Sequence, residues 1–200
     1  MFEIFPIRAL SDNYVWTLVE GEQAIIVDPG EAKPVLETLN ELKLDLKGII
    51  ITHHHFDHIG GNKELKQKYN SIVVGYKHDS KRIPEISVLV EDNQIWKEDN
   101  FEAKIIHIPG HTTGHIGFYF FNEKLIFTGD TLFSLGCGKI FEGTYEQMVS
   151  SLNKLKKLPE DTMIYCGHEY TLQNSKFCIS HDSKNLNLQN KIKKIKKNLN

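Results

Sequence analysis

At 200 residues and 23.0 kDa, with 40% hydrophobic and 10% aromatic residues, the chain suits one large domain, or one domain with a short appendage, and excludes wholesale disorder. The net charge of −2 is unevenly divided: residues 183–200 hold six lysines and no acid, and the remainder holds all 26 acids against 18 bases. Such a tail can attract nucleic acid or acidic lipid, but Leu188, Ile192, Ile195 and Leu199 fall at amphipathic spacing, so the lysines read as the solvated face of a helix and no nucleic-acid partner is expected. The N-terminal MFEIFPIR has neither a basic lead nor a signal-peptide hydrophobic stretch. Alternation over 14–20 and an apolar run over 24–28 predict two strands joined at Gly21-Glu22, with Pro29-Gly30 stopping the second. Val35, Leu36, Leu39 and Leu42 give 31–42 a helical spacing. Residues 48–52 read as a short buried strand, followed by a histidine-rich loop and a helix near 63–69. Further strands are predicted at 71–75, 103–108, 116–121 and 124–128. The run 116–121 is the longest apolar stretch and is far too short to span a bilayer, so no membrane partner is expected. Met148, Leu152 and Leu155 mark a helix over 145–158, a last strand covers 162–166, and helices cover 172–179 and 187–199. Several strands follow one another without an intervening helix, which fits mixed sheets covered by helices better than a doubly wound parallel sheet. Cys137, Cys166 and Cys178 form no CxxC pair and leave an odd count, which points to a reducing cytoplasm rather than a disulfide framework.

The segment THHHFDH, residues 52–58, carries the chemistry: four of the ten histidines lie within six positions, with an acid among them. The preceding strand places them on a loop at its carboxyl end, a usual place for a site. His53 and His55 are two apart and can present imidazoles to one side, whereas Asp57 and His58 turn the other way. That suggests two adjacent metals, each needing about four to six ligands. His111, Asp130 and His168 each follow an apolar strand and a glycine, again at strand-end loops.

THHHFDH resembles the HxHxDH signature of the metallo-β-lactamase superfamily. GHTTGH, FTGDTLF, GCGKIFEGT and CGHEYT are similar to the corresponding words of the hydroxyacylglutathione hydrolase (glyoxalase II) family, in the same order over roughly residues 1–180. The resemblance implies an α/β (α+β) fold, a four-layered αββα sandwich with two mixed β-sheets. It also implies a catalytic domain over 1–170 and a shortened helical C-terminal region over 171–200. Two divalent metal ions are implied, zinc first, with iron or manganese as alternatives. By motif, His53, His55 and His111 hold the first, Asp57, His58 and His168 the second, and Asp130 bridges them. Asp57 and Asp130 then serve catalysis with a hydroxide formed near neutral pH, because a divalent cation lowers the pKa of water to about 7. The hydroxide attacks the carbonyl of S-lactoylglutathione to give D-lactate and glutathione, the second step of methylglyoxal detoxification. The thiolate leaves with little need of a protein acid, since a thiol has a pKa of about 8.5.

The same resemblance gives Lys139 and Tyr170 to the glutathione moiety, and Asp28 and His115 to bracing the ligand loops. Phe141 stands where some members have a tyrosine. His54 is expected to point away from the metals, His107 to pack within a strand, Cys137 to be structural, and His78 and His181 to lie on the surface. The partner is a small glutathione thioester, and the chain is expected to be a monomer or weak homodimer in the cytoplasm. Family members continue for several dozen residues beyond the point where this sequence stops, and that segment supplies further basic contacts to glutathione. The tail stripe is therefore expected to dock on the chain's own helical layer or on a second copy, near the entrance to the metal site, where its lysines would raise the positive potential around an anionic substrate. Three other readings stay open: a glutathione persulfide dioxygenase on the same fold, which uses a single iron; a metal-dependent nuclease; and a truncated metal-binding remnant without turnover.

Overall fold

Apolar residues on both faces of the early strands build the first sheet of the computed structural model, which describes residues 2–198. Strands β1 (Glu3–Ala9), β2 (Asn13–Glu20) and β3 (Gln23–Val27) form an antiparallel meander. After helix α1 (Lys33–Glu41), β4 (Asp45–Ile50) pairs parallel to β3. Helices α2 (Phe56–Ile59) and α3 (Asn62–Tyr69) lead to β5 (Ile72–Tyr76), and β6 (Val88–Val90) completes a six-stranded sheet in chain order, its last three pairings parallel. The second sheet contains β7 (Ile95–Glu98), β8 (Phe101–His107), β9 (Ile116–Phe120) and β10 (Leu125–Gly129), all antiparallel. A small hairpin, β11 (Leu132–Phe133) and β12 (Gly136–Cys137), and helix α4 (Tyr145–Leu155) follow. Strand β13 (Met163–Cys166) then joins the second sheet parallel to β10, and α5 (Thr171–His181) and α6 (Leu186–Asn198) come last.

Alternation decides the layers. In β2 and β3, Leu18, Ile25 and Val27 face inward and meet Phe101, Ile105, Phe118 and Phe127 of the second sheet. Their neighbours Val15, Val19, Ala24 and Ile26 face outward against Val35 and Leu39 of α1 and Leu65 of α3. On the far side, Tyr119 and Ile126 pack with Ile108 against Leu155 of α4. The result is two mixed sheets between helical layers, an αββα sandwich. Each fully buried Leu, Ile or Phe contributes roughly 1.5–3 kcal/mol of transfer free energy. Local signals agree with the packing: Pro34 opens α1, and Thr144 with Gln147 forms a capping box at the start of α4.

Strands β1, β6 and β7 and the single turn α2 were not expected from the sequence. β1 carries Pro6 opposite Trp16; the missing N–H is harmless there because β1 is the sheet edge. β6 and β7 are also edges, three and four residues long, too short to show a period. α6 packs on α5, with Leu188, Ile192 and Ile195 half-buried, so the tail stripe docks on the chain's own helices. Leu199, the last member of that stripe, lies outside the described residues. No helix among the described residues is long and apolar enough to cross a membrane.

Candidate metal centre

Strands β4, β8, β10 and β13 end at one rim of the sandwich, and the loops that leave their carboxyl ends carry His53–His58, His111, Asp130 and His168. Asp28, at the end of β3 with φ 53°, fixes the first loop. Its Oδ1 accepts the Thr52 N–H at 2.7 Å, and its Oδ2 accepts the Thr52 hydroxyl at 2.6 Å and the His58 Nδ1–H at 3.1 Å. Gly30 packs so tightly on the Asp57 carbonyl that a Cβ there would collide with it.

Hydrogen bonds on the outer side of the His53, His58, His111 and His168 rings determine which nitrogen faces inward. Thr52 Oγ1 donates to Asp28, so it accepts from His53 Nδ1 at 3.0 Å; His53 Nε2 is buried with no hydrogen-bond partner. His111 Nδ1 donates to the Lys139 carbonyl at 2.7 Å, leaving its Nε2 as a lone pair 3.0 Å from His55 Nδ1. His53, His55 and His111 thus bring one nitrogen each within 4.8 Å of one another. Asp57, His58 and His168 do the same on the other side: the two Nε2 atoms are 3.3 Å apart, and each is 3.4 Å from Asp57 Oδ2. Asp130 lies between the groups, with Oδ1 3.5 Å from His58 Nε2 and Oδ2 3.5 Å from His111 Nε2 and 3.3 Å from His168 Nε2. Lone pairs facing lone pairs across about 3 Å, with an orphaned buried nitrogen and a shared carboxylate, fit a pair of cations. Asp28, His53 and His58 also cluster, but Thr52 and the ring N–H groups account for those contacts.

Electrostatics separate the two groups. Burial, reinforced by neighbouring imidazoles, holds His53 well below the usual histidine range and also lowers His55 and His111, so these rings are neutral donors. Burial opposes charge on His58 and His168 too, but Asp130, Asp57 and their other carboxylate neighbours prevail, raising His58 and pushing His168 up to about 10. Asp57 and Asp130 are held below the ordinary carboxylate range by the same contacts, against their burial. The second group therefore calls for positive charge, which a divalent cation provides.

The groups floor an open cleft of about 400 Å³, walled by Phe133, Gly138, Lys139, Phe141 and Tyr170. Lys139 is exposed, its Nζ 4.8 Å from the Phe141 ring centre. Tyr170 lies parallel to His168 at 4.9 Å, and burial followed by nearby carboxylates pushes its hydroxyl up to about 12, so it stays a donor. His115 Nε2 accepts the Asp130 N–H at 3.1 Å while its ring stacks on His53 at 4.6 Å. His54 turns outward to Asp79 and Arg82, each at 3.2 Å, and His107 stacks on Tyr76. His78, His181 and Cys137 are exposed. The sequence did not single out Asp12, Asn13, Asp79, Arg82 or Glu142, all of which touch the ligand loops or the residues flanking them.

A profile of the metallo-beta-lactamase superfamily matches residues 11–168. The hydroxyacylglutathione hydrolase of Pelagibacter ubique (strain HTCC1062) is 63% identical over 203 residues, which is 98% of this chain and 85% of that protein. The chain belongs to the hydroxyacylglutathione hydrolase family of the metallo-beta-lactamase superfamily. Another family member, from Prochlorococcus marinus (strain MIT 9301), is 44% identical over 98% of this chain and 80% of its own length. Among solved structures, ETHE1 from Myxococcus xanthus superposes with a TM-score of 0.74 at 28% identity, covering 85% of this chain and 76% of that one.

Proposed function

We propose that this chain is a dinuclear metal-dependent thioesterase hydrolysing S-(2-hydroxyacyl)glutathione, chiefly S-lactoylglutathione, to D-lactate and glutathione. The observation that carries it is the pair of three-donor groups sharing Asp130, in a chain whose family relatives bear that activity in their name. His53, His55 and His111 hold one cation, Asp57, His58 and His168 the other, and Asp130 both. When bound, two such cations, zinc in the first instance, polarise the thioester carbonyl and lower the pKa of a water to about 7. Asp57, whose side chain is 38% exposed toward the cleft, and Asp130 orient that water for attack. Lys139 pairs with a glutathione carboxylate, and Tyr170 donates its hydroxyl. Asp28 and His115 keep the ligand loops in place from behind. A single-iron oxygenase has no need of Asp57, His58 and His168 as ligands; their convergence favours the hydrolase. Residues 1–170 form the catalytic unit and 171–200 a helical appendage, in a cytoplasmic monomer or weak homodimer. Elemental analysis of the purified chain, joined to an S-lactoylglutathione hydrolysis assay, is the test. Two cations per chain with turnover are expected; one cation, or two without turnover, would sink the reading.

A further inference from the structure

The turn between β1 and β2, residues 10–12, together with Asn13 at the start of β2, lies outside every motif used above, yet it grips one donor group and leaves the other alone. Asn13, 4% exposed, aims its amide at Asp57: Nδ2 donates to the Asp57 backbone carbonyl at 3.0 Å and to its Oδ2 at 3.1 Å. Both neighbours can only accept, which fixes the orientation of the amide. Asp12 Oδ1 holds His168 Nδ1 at 2.8 Å, which turns the ring so that its Nε2 faces Asp57 and His58. The backbone fastens the turn to the same place. The Tyr14 N–H donates to the Gly167 carbonyl at 2.8 Å and the Glu169 N–H to the Asp12 carbonyl at 3.1 Å, forming an antiparallel bridge between Asn13 and His168. Trp16 Nε1 adds a bond to the Cys166 carbonyl at 2.9 Å, and the Tyr14 hydroxyl one to Glu169 at 2.9 Å. His53, His55 and His111 receive nothing from this turn; Thr52 and the Lys139 carbonyl orient two of those rings.

We infer that Asp12 and Asn13 are positioning residues for the second cation alone: the turn sets the Asp57 carboxylate and the His168 ring as donors, and the first cation binds without it. The inference rests on the dinuclear reading above. Partners of this outer kind typically change metal affinity by about 10–100-fold. The experiment titrates the metal-free full chain with Zn2+ against a competing chelator and compares Asn13→Ala, Asp12→Ala and Asp12→Asn with the unsubstituted chain. The unsubstituted chain takes up two equivalents; if it takes up fewer, the dinuclear reading itself has failed, before any variant is compared. Both alanine variants are expected to keep the first equivalent at unchanged affinity and to weaken the second by about 10–100-fold. Asp12→Asn, which retains an acceptor for His168 Nδ1, is expected to restore the second. Equal weakening of both equivalents, or of neither, overturns the inference. If the buried Asn13→Ala variant does not fold, Asp12→Ala and its Asn rescue decide the matter, since Asp12 is 40% exposed at its side chain.

Discussion

A methyl group on Gly167 would stand 2.5 Å from Asp130 Oδ1 and 2.9 Å from His58 Cε1, between the shared carboxylate and the second donor group. Gly167→Ala is therefore expected to lower bound metal and turnover, because the methyl must displace the Asp130 carboxylate or the His58 ring, while the melting temperature of the metal-free chain moves little. Elemental analysis and a thermal melt on the same sample check this; a variant with two cations and full activity would show that the loop yields. Lys139 stands at the cleft rim with its ammonium over Phe141, exposed and reachable by a carboxylate. Lys139→Ala is expected to raise KM for glutathione thioesters several-fold with kcat nearly constant, because a carboxylate contact binds ground and transition states alike. Hydrolysis of a small neutral thioester should be unaffected, and equal losses on both substrates would place Lys139 in the chemistry. The cluster around His53 was legible because histidines and acids at that spacing have few structural uses. Asp12 and Asn13 were not: between two strands, Asp and Asn are ordinary turn residues, and their partners lie 156 and 44 positions away. His54 shows the reverse case, since its place between two donors identified a loop position but not its outward partners Asp79 and Arg82.

Those partners link elements that are remote in sequence. Asp79, in the short turn after β5, binds His54 and Arg82; Arg82 binds Glu142 ahead of α4; and Glu142 accepts the Thr113 N–H at 2.9 Å and its hydroxyl at 3.0 Å on the loop after β8. Partial burial works against charge on Glu142, but bonds from Thr113 and Arg82 outweigh it and bring its pKa to about 2 from an ordinary 4.5. A folded-state value below the unfolded one adds stability above pH 4.5 that is lost as pH falls toward 2. Chelator-treated wild-type chain is thus expected to melt above Glu142→Gln at pH 7, with the gap closing between pH 4.5 and 2; a gap independent of pH would remove charge from the account. At the C-terminal end, half-burial of Leu188, Ile192 and Ile195 against α5 is worth about 2–4 kcal/mol before ordering costs. Deleting residues 184–200 is expected to lower the melting temperature by several degrees with two cations retained; an unchanged melt would show that α6 contributes nothing. Elements with a two-sided apolar pattern, such as β3, β4 and β9, were readable from sequence. The edge strand β13 was read too, but β6 and β7 are too short to show a period and Pro6 breaks the strand signal of β1.

At the scale of the molecule, the proposed donors come from both sheets, so only the assembled sandwich offers the full set. A ligand that binds the folded state alone stabilises it by about 4.1 kcal/mol when present at a thousand times its Kd. For a 200-residue chain, at roughly 2–4 °C per kcal/mol, chelation is expected to lower the melting temperature by about 8–16 °C per strongly bound cation. A melt that ignores chelator would mean that the donors are preorganised without gaining from the ion. The layer architecture was legible from mixed strand order and motif sequence. The tie that closes the rim was not, since the bond from Asp12 to His168 joins opposite ends of the catalytic part. That span bears on synthesis. Ribosomes release a chain from its N-terminus, so His53, His55, Asp57 and His58 emerge while His111, Asp130 and His168 are still to be added. A half-made protein shows four metal-seeking side chains to the cell with nothing to close around the ion. On the proposed assignment, the donors of the first cation are all made once translation passes residue 130, and those of the second only once it passes residue 168, so the two cations would be enclosed in that order.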